Sequence, residues 1–77
     1  MTRAHDVDID ARGLTCPLPV LRAKQAIGHM HRGQVLRVRA TDSGSVKDFG
    51  AFCRQSGNER VSFEVDCGEY IFYLRKT

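Results

Sequence analysis

Hydrophobic and polar positions alternate with a period of two at the start of the chain, where Val7 and Ile9 fall between Asp6, Asp8 and Asp10. This is the pattern of a strand with one face buried and one wet. From Val20 the period changes. Val20, Ala23, Ile27 and Met30 recur at helical spacing, which predicts a helix from about Pro17 to about His31, its end marked by Gly28 and Gly33 with His29, His31 and Arg32 complementing its negative pole. Leu18 and Leu21 fall off the buried stripe, on the flank beside Cys16. Val35 to Ala40 alternates again, with Leu36, Val38 and Ala40 inward and Arg37 and Arg39 outward.

After the turn-rich Thr41-Asp42-Ser43-Gly44-Ser45, the stretch Ser45-Val46-Lys47-Asp48 has the form of a capping box. It leads into a second helix with Val46, Phe49, Phe52 and Cys53 on one face and Gly57-Asn58 as its stop. The final third reads as a hairpin with Cys67-Gly68 as a two-residue turn, placing Val65 opposite Tyr70, Phe63 opposite Phe72 and Val61 opposite Leu74. A one-residue slip would set apolar against polar positions, so the register is self-consistent.

The order β-α-β-α-β-β predicts an α/β (α+β) two-layer sandwich with both helices covering one sheet face. The opposite face is expected to stay open, carrying Asp8, Asp10, Arg37, Arg39, Glu64, Ile71 and Tyr73. Cross-strand ion pairing accounts for its arginines better than phosphate binding does. Ile71 and Tyr73 leave room for a weak dimer of an otherwise monomeric protein.

Seventy-seven residues make a single domain, 1–77, whose thin core puts any function near the surface. No apolar run approaches the roughly 20 residues of a membrane span, and Met1 to Asp6 lacks the features of a secretory signal, so a soluble, cytoplasmic protein is expected. Cys16, Cys53 and Cys67 form no C-x-x-C pair, which fits a reducing compartment. The formal charge of +3 is spread among interspersed acids and bases, so no direct nucleic-acid contact is expected. His5, His29 and His31 lack the spacing of a metal site.

Chemistry concentrates between Arg12 and Pro19. Proline suits the first helical position, so Pro17 places Cys16 at the N-cap, with Pro19 inside the first turn. A thiol there meets free backbone donors and the positive end of the helix dipole, which predicts a lowered pKa and a reactive thiolate. Gly13 permits a turn closed to other residues, and Arg12 adds positive charge to an exposed loop. Leu18 and Leu21 either pack against neighbouring loops or form a small apolar docking patch. Cys53 is assigned to the core and Cys67 to an exposed turn.

Arg12-Gly13-Leu14-Thr15-Cys16-Pro17-Leu18-Pro19 resembles the R-G-L-x-C-P-x-P signature of the TusA-like (SirA-like) sulfur-carrier family. Ala40-Thr41-Asp42, Ser45 to Phe49, Phe52 to Gln55 and Gly57-Asn58 resemble the family's second strand and second helix, so the likeness covers nearly the whole chain. It implies a four-stranded mixed sheet of order 1-2-4-3 under two helices, as in the C-terminal domain of bacterial translation initiation factor three. It also implies that Cys16 accepts sulfane sulfur from a donor protein, a cysteine desulfurase or rhodanese, and holds it as a persulfide. The acceptor protein would then serve tRNA wobble-uridine thiolation, molybdenum-cofactor assembly or sulfur oxidation, with no metal or organic cofactor. Arg12, Gly13, Pro17, Leu18, Pro19 and Leu21 would support or dock around Cys16, and first-turn N–H groups would hold the persulfide anion. Two other readings stay open: a small redox-sensing regulatory module that binds nucleic acid or protein, and an inert Cys-Pro turn.

Overall fold

The computed structural model describes residues 5–77, so the reading of Met1 to Ala4 as part of a non-secretory start lies outside the described residues. Strand β1 (Val7–Ala11), helix α1 (Leu18–Gly28), strand β2 (Val35–Ala40), helix α2 (Ser45–Ser56) and strands β3 (Glu59–Asp66) and β4 (Glu69–Arg75) follow in that order. The strands form one sheet in the order β1-β2-β4-β3. β1 and β2 run parallel, while β2–β4 and β3–β4 are antiparallel, so the sheet is mixed as expected.

The register follows the alternation in the sequence. Ile9 stands beside Val38 and Ala11 beside Ala40, and across the next ladder Leu36 meets Leu74 and Val38 meets Phe72. These side chains form the buried face with Ala23, Ile27 and Met30 of the first helical segment and Phe49 of the second. Phe49 and Phe72 lie ring to ring at 4.4 Å between centroids, tying α2 to the centre of the sheet. The hairpin turn is the expected pair: Cys67 at φ +48° and Gly68 at φ +79° have the two left-handed residues of a type I′ turn, whose twist matches that of paired strands.

Four details differ from expectation. In the hairpin, Val65–Tyr70 and Phe63–Phe72 pair as predicted, but Leu74 pairs with Arg60 and Tyr73 with Ser62. A bulge accommodates Val61 as an extra residue, so its predicted pairing with Leu74 does not form.

α1 begins at Leu18 with Pro17 as its cap, one residue later than predicted, and ends at Gly28 instead of His31. Beyond Gly28 the N–H groups of His29 and Met30 reach back only three residues, to the Ala26 and Ile27 carbonyls, which closes the helix with tight turns. Its last turn holds no basic residue. Instead Lys76, from the far end of the chain, donates to the Met30 carbonyl at 2.8 Å.

α2 starts from Gly44, and no side chain caps it. Ser45 is buried with its hydroxyl unpartnered, so the predicted capping box is absent and the Asp48 carboxylate is used elsewhere.

The sheet face away from the helices is less open than the pattern implied. Tyr73 is fully buried and Ile71 nearly so. Tyr73 lies between Arg37 and Ser62 on its neighbouring strands, and Ile71 between Arg39 and Glu64. Long side chains cover apolar surface with their stems while their heads stay polar, and Arg37 and Arg39 direct their heads to Asp8 at 3.5 and 3.7 Å. The apolar groups that left room for a weak dimer are thus covered within the chain.

Candidate functional site

The segment between β1 and α1 is built to present Cys16. Gly13 adopts φ +82°, a conformation costly for other residues, and donates its N–H to the Thr41 hydroxyl at 2.9 Å. Two short turns follow, Leu14 N–H to the Ala11 carbonyl at 3.3 Å and Leu18 N–H to the Thr15 carbonyl at 2.9 Å. Pro19 is buried in the first turn of α1. Cys16 itself is exposed.

Two aspartates from the other half of the molecule hold this cysteine. Asp42 Oδ2 accepts the Cys16 backbone N–H at 3.0 Å, and Asp48 Oδ2 accepts the Cys16 thiol hydrogen. Gly44 packs close against Asp42 and Cys16: a Cβ there would come within 3.1 Å of the Asp42 carboxylate and 3.7 Å of Cys16 Cβ. Sequence reasoning missed both aspartates. Asp42 read as a turn residue and Asp48 as half of a capping box. Their separation from Cys16 by 26 and 32 positions leaves no local signal of the contact.

This setting reverses the predicted electrostatics. The hydrogen bond to Asp48 pushes the Cys16 thiol above its ordinary pKa, with partial desolvation and the negative charges of Asp48 and Asp42 adding to it. The expected lowering rested on a thiol at the N-cap, but Cys16 lies one residue before the cap and faces carboxylates. Nor does Arg12 make the loop electropositive. It grips Asp10 in a bidentate pair, Nε to Oδ1 at 2.8 Å and Nη2 to Oδ2 at 2.7 Å, with Glu69 at 3.5 Å. The anticipated cradle of N–H groups is also sparse. Pro17 and Pro19 have none and Leu18 uses its own on Thr15, so from Pro17 to Val20 only Val20 has one to offer.

Beside the thiol runs a groove between the two helices of about 260 Å³, lined by Pro17, Val20, Leu21, Lys24, Asp48, Ala51, Phe52 and Gln55. Leu21 lines it and is 47% exposed, and Leu18, the first residue of α1, is 43% exposed. A larger depression of about 510 Å³ on the opposite flank of α1, lined by Ile9, Arg22, Gln25, Ala26 and His29, includes no residue of this loop.

The other thiols stand apart from this site. Cys53 packs against the core, and burial pushes its thiol up. Cys67 sits on the hairpin turn, where Asp66 does the same by a hydrogen bond. Among the described residues no three His, Cys, Asp or Glu side chains group as metal ligands, and no helix is long and apolar enough to cross a membrane.

The profile of the family described as Sulfurtransferase TusA matches residues 7–76, which takes in every element of the fold and the whole of this site. The chain belongs to the TusA family. It is 51% identical over 72 residues to the sulfur carrier protein TusA of Allochromatium vinosum, covering 94% of this chain and 95% of that protein. It is 58% identical over 67 residues to a putative sulfur carrier protein of Neisseria meningitidis, covering 87% and 90%. The crystal structure of a SirA-like protein from Desulfitobacterium hafniense superposes with a TM-score of 0.80 at 28% identity, over 91% of this chain and 96% of that one. The TusA family and its fold thus stand as the sequence resemblance implied.

Proposed function

We propose that this TusA-family protein carries sulfane sulfur as a persulfide on Cys16, taking it from a donor protein of the cysteine desulfurase or rhodanese type and relaying it to an acceptor protein. The observation that carries this reading is the placement of Cys16: an exposed thiol on a pinned loop, beside an interhelical groove with an apolar rim. Transfer from protein to protein requires two sulfur atoms to meet at bonding distance, and a thiol on a projecting loop permits that where a buried one does not. The apolar rim offers a partner area to bury around the reacting atoms.

The acceptor serves tRNA wobble-uridine thiolation, molybdenum-cofactor assembly or sulfur oxidation. No metal or organic cofactor is needed for the exchange, and a reducing, cytoplasmic setting suits three unpaired cysteines. The raised thiol counts against redox sensing, because sensor cysteines have low pKa values.

The test is to incubate the protein with a cysteine desulfurase and cysteine, or with a rhodanese and thiosulfate, and to measure intact and peptide masses. One sulfur atom should be gained on the Cys16 peptide and lost on reduction. Uptake that persists in Cys16→Ser, or that maps to Cys53 or Cys67, would overturn the reading.

A further inference from the structure

A carrier thiol must act in two opposite senses. It attacks as a thiolate to collect sulfur and departs as a thiolate to deliver it, so a proton has to leave Cys16 in the first event and return in the second. The structure supplies one group in contact with that proton. The Asp48 carboxylate, in the first turn of α2, accepts the hydrogen bond of the Cys16 thiol and takes part in no ion pair among the described residues.

Both partners are held from behind by independent anchors. Asp48 donates its backbone N–H to the Gly44 carbonyl at 3.1 Å, and the next residue, Phe49, is fully buried against Phe72. Cys16 is pinned through its own N–H by Asp42. The contact therefore joins the loop before α1 to the first turn of α2.

Resting on the sulfur-carrier reading of Cys16, we infer that Asp48 is a catalytic residue, the proton acceptor and donor for the Cys16 sulfur in both directions of transfer. In loading, Asp48 takes the thiol proton as Cys16 Sγ forms a bond to the outer sulfur of a neutral donor persulfide. The bond between the two donor sulfurs breaks, and its electron pair leaves on the donor's inner sulfur as a thiolate, which receives the proton from Asp48. A thiol and a persulfide become a persulfide and a thiol, with no net oxidation. In delivery, the acceptor's thiol gives its proton to Asp48 as it attacks the outer sulfur on Cys16. The bond between that sulfur and Sγ breaks, and Asp48 returns the proton to the departing Sγ.

A raised thiol suits this role better than a lowered one. The proton stays on sulfur at rest, already shared with the group that removes it, and a more basic thiolate is the stronger nucleophile once formed. The charged groups around the thiol are Asp42 from the loop before α2 and Asp48 from α2, and Lys24 of α1 lines the groove that Asp48 shares.

The test is single-turnover loading of the full chain by glutathione persulfide, a donor that needs no protein docking, followed by rapid-quench mass spectrometry across the neutral to alkaline range. Asparagine has the shape of aspartate, so Asp48→Asn should keep the loop intact. At neutral pH it should load more slowly by about 10²-fold, the usual scale of proton-transfer catalysis, although ultraviolet absorbance shows a larger thiolate fraction than in the wild type. The two rates should converge at alkaline pH, where no proton remains to be removed. Loading of Asp48→Asn at the wild-type rate or faster would overturn the role of Asp48, and so would a deficit unchanged at alkaline pH, which marks a merely structural contact. A wild-type protein that gains no sulfur on Cys16 would overturn the carrier reading itself, and the inference with it.

Discussion

Asp42 reaches across 26 positions of sequence to accept the backbone N–H of Cys16 at 3.0 Å, and its own carbonyl accepts the N–H of Ser45 at 3.0 Å. One residue thus ties the start of α2 to the loop that presents the thiol. Asp42→Ala removes a hydrogen bond to a charged acceptor at a partly exposed position, a loss of about 1–2 kcal/mol. For a domain of this size that lowers Tm by roughly 4–8 °C per kcal/mol. Thermal unfolding checks the size of the loss, and hydrogen exchange should show the Cys16 amide losing protection ahead of the strands. An unchanged Cys16 amide would mean that the loop is held by other means.

Tyr73 makes a contrasting prediction. Its ring is fully buried on the face opposite the helices, yet its hydroxyl has no partner among the described residues. A buried hydroxyl without a partner costs stability, so Tyr73→Phe is expected to be neutral or to stabilise by up to about 1 kcal/mol. Urea unfolding should show the midpoint constant or raised at unchanged slope. A drop of more than about 1 kcal/mol would show that the hydroxyl is satisfied in solution.

The two aspartates explain why the fold could be read further than the site. Period-two and helical patterns report which residues face a core, and they placed Leu36, Val38, Phe72, Ala23 and Ile27 where the structure has them. The prolines after Cys16 placed it on an exposed loop just before α1 for the same local reason. Its environment, however, is made by the β2–α2 connection folding back over the first loop, and no period in the sequence encodes that approach. Ser45 to Asp48 satisfies the capping-box pattern, but Ser45 is buried and Asp48 faces the thiol, so a tertiary contact displaced the local one. Val61 failed in a similar way. Perfect alternation from Val61 to Val65 concealed a bulge that appears only once β3 is laid against β4.

Cys67 is the only non-glycine residue with positive φ among the described residues, at +48°, and it precedes Gly68 in the hairpin turn. A left-handed conformation costs most side chains roughly 1–2 kcal/mol, while asparagine tolerates it through local hydrogen bonding. Cys67→Asn creates the Asn-Gly pair favoured in type I′ turns and should stabilise the hairpin by about 0.5–1 kcal/mol, a rise of several degrees in Tm. Because Cys67 lies away from the loop that carries Cys16, sulfur uptake should be unchanged. Loss of uptake in this variant would give the turn cysteine a part in the relay that its position does not suggest.

The bidentate pair of Arg12 with Asp10 makes stability depend on pH in a definite direction. The Arg12 side chain, then its backbone N–H, hold the Asp10 carboxyl well below the ordinary value of 3.8. A carboxyl depressed in the folded state contributes all of its stabilisation above the unfolded value and loses it as pH falls toward the folded one. The difference in urea midpoint between the wild type and Asp10→Asn should therefore stay constant through neutral and mildly acidic pH and shrink once pH drops below the ordinary carboxylate range. Both partners are exposed at their side chains, so the gap should also narrow in high salt. A gap that widens on acidification would mean that Asp10 is stabilised in its protonated form, and that Arg12 holds the loop through contacts other than this pair.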